Sequence, residues 1–229
     1  MIIMKNNRQI GILGGSFDPI HNGHLGLAQE TREKFGLDQI MFIPVLQSPH
    51  KTRAPLASTV DRREMLRLAL KGNACFSICD VETCRKELSY TIDTLNHLEL
   101  EIPNSDLFLI IGQDNLQDLD TWKDSRKIME KYNILVASRP GQKSFSPEEK
   151  VLSLFNGDSP YRSGKIENGT QEFFHRETER KLVIFQISPR DISSSAIRKK
   201  IAHRETPKNL LPPEVEAYII RHQIYKTKT

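Results

Sequence analysis

The chain lacks several things, and each shortage narrows its class. No apolar run approaches the roughly 18 residues that a bilayer-spanning helix needs. The opening stretch, MIIMKNNRQIGILGG, has too brief an apolar run and no small-residue cleavage pattern, so no secretory leader is expected. A cytoplasmic location follows by default. Cysteine is scarce: Cys75, Cys79 and Cys84 make three, an odd count that suits a reducing compartment better than a disulfide framework. Their C-x3-C-x4-C spacing matches no common zinc pattern, and thiols buried on and after a strand are the simpler expectation. No block of Lys or Arg stands out. The net charge of +4 is spread over 229 residues, which suits a small anionic substrate at least as well as nucleic acid. Proline and glycine, at 12 each, are too few for a collagen-like or low-complexity chain.

What is present is an alternation of strand and helix patterns. QIGILG, IMFIPV, CFSICDV, DLFLIIG, YNILVAS and KLVIFQI read as six short, almost wholly apolar strands. Helical spacing falls between or after them, over 22–35, 58–70, 90–100, 125–131, 194–202 and 213–222. Asn22 is a possible N-cap and Gly36 a C-terminal stop for the first helix. Continuous apolar strands alternating with helices predict an α/β fold: a Rossmann-like, doubly wound parallel sheet with helices on both faces. The length allows one substantial core, expected as a single domain over 1–229 with a helical cap at about 193–222. The stretch at about 142–180 is polar and turn-rich, and reads as a surface excursion.

In such sheets, ligands sit beyond the carboxyl ends of the strands. The segments after the predicted strands are rich in Gly, His, Arg, Lys and Ser. FGLDQ and EIPNS, at the other edge, are bland. After the first strand comes GGSFDPIHNGH. Gly14 and Gly15 let backbone approach a phosphate or a base closely, though the spacing is not that of the dinucleotide fingerprint. His21 and His24 stand three apart where a helix starts. There, free N–H groups and the positive dipole end already favour an anion. Two ring N–H donors would add to that site. ISSSAIR repeats the logic: Ser193, Ser194 and Ser195 precede a helix, and Arg198 follows one turn on. A plain serine cap with a solvated arginine is the other reading of that stretch.

Together these motifs resemble the nucleotidyltransferase superfamily with an H-x-G-H signature and a late I-S-S-T-x-I/V-R signature. The narrower resemblance is to the bacterial nicotinate-nucleotide adenylyltransferases. GGSFDPIHNGHL is similar to G-G-T-F-D-P-x-H-x-G-H-L, with Ser16 for Thr. SYTIDTL, GQDNL, the single tryptophan Trp122, SRPG and LPPEVEAYIIRHQIY follow in that family's order. Glu87-Leu88 stands where Gly-Pro is usual, and Lys123 where an aromatic or histidine is common.

The resemblance implies adenylyl transfer from ATP to nicotinate mononucleotide, within NAD biosynthesis. It implies that His21 and His24 donate to the α-phosphate. Lys51 and Arg198, with Ser193 and Ser194, hold the departing phosphates. Gly14, Gly15, Ser16 and Phe17 form the ATP loop, Asp114 binds a ribose hydroxyl, and Arg139 flanks the nucleotide. Ser89, Tyr90, Thr91, Trp122 and Lys123 form the acceptor side, with Trp122 stacked on the pyridine ring. Mg2+ is expected on the ATP phosphates rather than in a protein cage. Neither nucleic acid nor membrane is an expected partner, and the chain is expected as a monomer or small homo-oligomer. Alternatives stay open residue by residue: Lys51 as a solvated lysine, Asp114 as a helix cap, Trp122 as core. For the whole chain they are another adenylyltransferase of the superfamily, with a nicotinamide mononucleotide or phosphopantetheine acceptor, or a non-catalytic nucleotide sensor. A tRNA-synthetase fragment shares the histidine loop, but a K-M-S-K-S-type loop is missing.

Overall fold

The computed structural model describes residues 7–46, 54–82, 90–138 and 146–226. Its strands are β1 (Arg8–Gly15), β2 (Gln39–Pro44), β3 (Phe76–Ile78), β4 (Ser105–Gly112), β5 (Asn133–Ser138), β6 (Tyr161–Glu167), β7 (Thr170–His175) and β8 (Lys181–Gln186). Its helices are α1 (Asn22–Phe35), α2 (Thr59–Leu70), α3 (Thr91–Glu101), α4 (Gln113–Gln117), α5 (Ser125–Lys131), α6 (Pro147–Leu152), α7 (Ser194–Ala202) and α8 (Pro213–Arg221), with a 3-10 turn at Leu119–Thr121. The strands hydrogen-bond in the order β3-β2-β1-β4-β5-β8-β7-β6. The run 3-2-1-4-5 within it is the doubly wound order. Among the described residues no helix is long and apolar enough to cross a membrane.

Two compact units make up the chain. The first comprises Met1–Leu13, Thr31–Ile40 and Tyr90–Pro189. Its centre is parallel: β1 pairs with β4, β4 with β5, and β5 with β8. In β5 every residue from Ile134 to Ser138 is buried. Successive side chains point to opposite faces, so such a run requires cover on both. Beyond β8 the sheet departs from the parallel expectation. β7 pairs antiparallel with β8, and β6 antiparallel with β7. The expected surface excursion thus holds, from Ser146 on, a short helix and a β-hairpin. Asn168 and Gly169 turn the hairpin with φ of 49° and 68°. Two successive positive φ values are what a two-residue hairpin turn demands. A bulge between Ser163 and Ile166, with Lys165 in it, blunts β6 as an edge strand.

The second unit comprises Gly14–Glu30, Met41–Ser89 and Arg190–Thr229. Ser58 caps α2 by accepting from the Asp61 N–H at 3.1 Å. Pro213 opens α8, where its missing N–H costs nothing. The Tyr218 hydroxyl donates to Asp61 Oδ1 at 3.0 Å, tying α8 to α2 over a core that includes Met65, Leu66, Val215 and Ile219. β3 is shorter than CFSICDV predicted. Cys75 and Cys79 beside it are half-buried rather than buried; Cys84 lies outside the described residues.

Candidate active site

The histidine loop lies wholly in the second unit. His21 is the residue before α1, and His24 is the third residue inside it. His24 N–H donates to His21 Nδ1 at 3.3 Å, while His21 N–H donates to His24 Nδ1 at 3.3 Å. This is the reciprocal logic of a capping box, with imidazoles in place of Ser and Glu. It gives the three-residue spacing a physical reason. It also sets the tautomer: a neutral imidazole whose Nδ1 accepts carries its proton on Nε2. Each ring is therefore an Nε2–H donor. The rings stack with centroids 3.6 Å apart. His21 is only 4% exposed, and His24 is half-buried. Asn22 does not cap the helix as expected; its side-chain amide donates to the Asn209 carbonyl instead.

The glycines follow from the same geometry. A Cβ on Gly14 would meet nothing within 4 Å, so that backbone lies open. A Cβ on Gly23 would sit 3.0 Å from His21 Nδ1 and 3.1 Å from its Cε1. Gly23→Ala is therefore expected to separate two effects. Alanine favours a helix over glycine by up to about 1 kcal/mol, so the melting temperature should hold or rise. Displacing the His21 ring by a few tenths of an ångström should cost roughly tenfold in kcat. An unchanged kcat would mean that the ring has room to spare.

Phe17 supports the pair from within. Its φ is +45°, an unusual backbone for a bulky residue, and its ring is 1% exposed with its edge against His24 at 5.1 Å. Its ring packs on His24, so any part Phe17 takes in the ATP loop falls to its backbone.

Sequence reasoning missed Asp18, Arg62 and Tyr225, which build the underside of this loop. Asp18 is 4% exposed. Its carboxylate accepts from the Leu56 and Ala57 N–H groups at 2.8 and 3.0 Å and from the Tyr225 hydroxyl at 2.7 Å. Arg198 Nη1 lies 3.6 Å from the carboxylate and donates to the Asp18 carbonyl at 2.7 Å. Burial, and then the neighbouring Asp18 charge, push the Tyr225 hydroxyl far above its ordinary pKa, so it stays a donor. Arg62, 1% exposed, donates to the Ser16 and Val45 carbonyls at 2.7 and 2.8 Å. Burial lowers its pKa while Asp18 counteracts. Ser16 thus takes part through its carbonyl.

On α7, Ser193 accepts from the Ala196 N–H at 3.2 Å, the plain cap of the bland reading, and its own proton is not used by that bond. Ser194 instead donates to the Pro19 carbonyl at 3.0 Å. That hydroxyl proton is spent inside the protein, which weighs against Ser194 as a phosphate donor.

Other expected residues lie in the first unit. Asp114 is exposed in the first turn of α4, just past β4, and caps nothing with its side chain. A Cβ on Gly112 would meet the Asp114 carboxylate, which is exposed and can turn away. Trp122 is half-buried, so it is not plain core. Lys123 donates to Asp93 Oδ2 at 2.9 Å and lies 4.6 Å from the centre of the Tyr90 ring. The Asp93 hydrogen bond holds its ammonium above its ordinary pKa. Tyr90 precedes α3 without a side-chain cap, so the helix that begins at Thr91 presents uncapped N–H groups. Tyr90, Thr91 and Lys123 are thus brought together. Lys51, Ser89 and Arg139 lie outside the described residues. Among those described, no cluster of three or more His, Cys, Asp or Glu could hold a metal ion.

The family described as cytidylyltransferase-like matches residues 12–200. A protein of Pelobacter propionicus named a probable nicotinate-nucleotide adenylyltransferase is 38% identical over 224 residues, covering 95% of this chain and 98% of its own. Its counterpart in Geotalea daltonii is 38% identical over 225 residues, with the same coverage. The fold is shared with the nicotinic acid mononucleotide adenylyltransferase of Plasmodium falciparum, solved in complex with NaAD: the TM-score is 0.70 at 20% identity, over 95% of this chain and 97% of that one. With such identity over nearly its whole length, the chain belongs to the cytidylyltransferase-like family and to the nicotinate-nucleotide adenylyltransferases.

Proposed function

We propose that the protein transfers the adenylyl group of ATP to nicotinate mononucleotide, giving nicotinate adenine dinucleotide and pyrophosphate in NAD biosynthesis. The observation that carries this reading is the reciprocal histidine cap, which sets two imidazoles by their Nδ1 atoms at a helix start with Arg198 anchored to the same loop. The mononucleotide 5′-phosphate attacks the α-phosphorus in line. A P–O bond forms there as the bond to the β-phosphate oxygen breaks, and pyrophosphate leaves with that electron pair. A phosphate at neutral pH is already a nucleophile, so the site needs donors and cations rather than a base. Catalysis is then positioning and charge stabilisation.

His24, with His21, donates to the α-phosphate oxygens. Arg198, Ser193 and Lys51 hold the leaving phosphates. Gly14 and Gly15 admit the nucleotide, and Asp114 takes a ribose hydroxyl. The N–H groups at the start of α3 and near Lys123 receive the nicotinate carboxylate, and Trp122 stacks on the pyridine ring. Mg2+ would arrive on the ATP phosphates, with waters completing its shell and offsetting their charge. The chain works in the cytoplasm as a monomer or small homo-oligomer.

Pyrophosphate release from ATP with nicotinate mononucleotide or its amide tests the reaction. Turnover should favour the acid by at least about 10²-fold, because the uncapped N–H groups lose an anionic partner when it becomes an amide. Equal turnover would refute the acid reading, and none with either would refute the reaction. Trp122→Ala should raise KM for the mononucleotide by roughly tenfold, in line with about 1–3 kcal/mol for stacking a base on an aromatic side chain. KM for ATP should stay within about twofold. Equal rises would return Trp122 to a core role.

A further inference from the structure

α6 and the turn that follows it, over 147–155, have no part in the chemistry above, yet they grip the turn that carries Trp122. Asp120 lies two residues before Trp122, in the 3-10 turn Leu119–Thr121. Both of its carboxylate oxygens accept from Lys150 Nζ on α6, at 3.2 Å each. The Phe155 N–H, just beyond α6, donates to Asp120 Oδ2 at 3.4 Å. The Lys150 and Asp120 side chains are 21% and 20% exposed. Every other ion pair of this unit, among the described residues, has a partner 40% exposed or more. Exposed pairs fix little, while a shielded pair fixes geometry and is costly to break from one side.

The grip has a stiff backing. Val151 and Leu154 are wholly buried, as are Leu116 and Leu119. Arg126 of α5 lies 3.9 Å over the Phe155 ring, so the same segment also packs on the helix after Trp122. From Asp120 to Trp122 the chain has little slack. Trp122 N–H donates to the Leu119 carbonyl at 3.3 Å, Ser125 N–H to the Trp122 carbonyl at 3.1 Å, and Ser125 Oγ to the Asp120 carbonyl at 3.2 Å.

We propose that Lys150 is a positioning residue for the acceptor: through Asp120 it sets the Trp122 turn against the mononucleotide. This rests on the stacking role given to Trp122. The single tryptophan makes the test direct, because all indole fluorescence comes from this turn. Lys150→Met keeps the aliphatic stem and removes the charge; Lys150→Arg restores a cation, and Asp120→Asn attacks the pair from the other side.

In the full-length protein, Lys150→Met should raise acrylamide quenching and lower the anisotropy of Trp122. It should also raise KM for nicotinate mononucleotide about three- to tenfold, with kcat and KM for ATP within about twofold. Lys150→Arg should restore both readouts, and Asp120→Asn should follow Lys150→Met. Unchanged fluorescence and KM in Lys150→Met would overturn the proposal. So would altered fluorescence with an unchanged acceptor KM, if Trp122→Ala still raises that KM. If Trp122→Ala leaves the acceptor KM unaltered, the stacking role itself fails and the functional claim for Lys150 fails with it. The fluorescence of Lys150→Met then still decides whether the mechanical tie exists.

Discussion

His24→Ala should fold normally and lose about 10²–10³-fold in kcat, the usual cost of removing one donor to a developing charge. The fold should survive because the substitution leaves the His24 N–H donating to His21 Nδ1, and α1 keeps its cap. His21 N–H loses an acceptor, a cost of about 1–3 kcal/mol if it stays buried and unpaired. His24 is the better target of the two because His21 is only 4% exposed and its removal would open a cavity in a buried site. A second variant separates donor from base. Glutamine offers an amide N–H but cannot act as a base near neutral pH. His24→Gln should therefore recover roughly tenfold over the alanine variant. Equal losses in both, with a kcat that rises with pH only in the wild type, would turn His24 into a base.

Arg198→Lys keeps the charge and should still lose about 10²-fold in kcat/KM for ATP. Arg198 Nη1 is spent on the Asp18 carbonyl at 2.7 Å, with the Asp18 carboxylate 3.6 Å away. A guanidinium can be anchored at one nitrogen and still present N–H groups from its other edge; an ammonium is a point charge and cannot span both. Lysine should either stay with Asp18 or reach the phosphates. Arg198→Ala should be worse by only a few-fold. A lysine variant within threefold of wild type would show that charge alone matters and that the Asp18 anchor does not.

The parts of the fold legible from sequence were those with continuous apolar strands or strong helical spacing. β1, β2, β4, β5 and β8 announce themselves because burial on both faces leaves no room for polar residues. α1, α5 and α7 begin and end where helical spacing placed them. The hairpin escaped because β6 is exposed along nearly its whole length, so its residues carry no apolar alternation. Its one available signal was the Asn168-Gly169 pair. α4 escaped because five residues are too few to show a period.

In the site, the density of Gly and His marked the loop, but not what the imidazoles do to one another. Histidine is not a favoured N-cap, so propensity pointed to Asn22 instead. Asp18, Arg62 and Tyr225 were hidden for a different reason. Asp18 and Tyr225 meet across 207 positions, and no local pattern records such a pair. An acid set between Phe17 and Pro19, both buried, was the only hint that a charge lies under the loop.

The central claim is that backbone N–H groups hold both imidazoles by Nδ1, so that Nε2–H faces the reacting phosphate. Nitrogen-15 NMR of histidine-labelled protein tests it most directly, with His21 and His24 assigned through their single variants. At neutral pH both Nδ1 resonances should be pyridine-like and both Nε2 resonances pyrrole-like, with the Nε2 signals moving when ATP is added. A pyrrole-like Nδ1 on either ring, or Nε2 signals indifferent to ATP, would contradict the account.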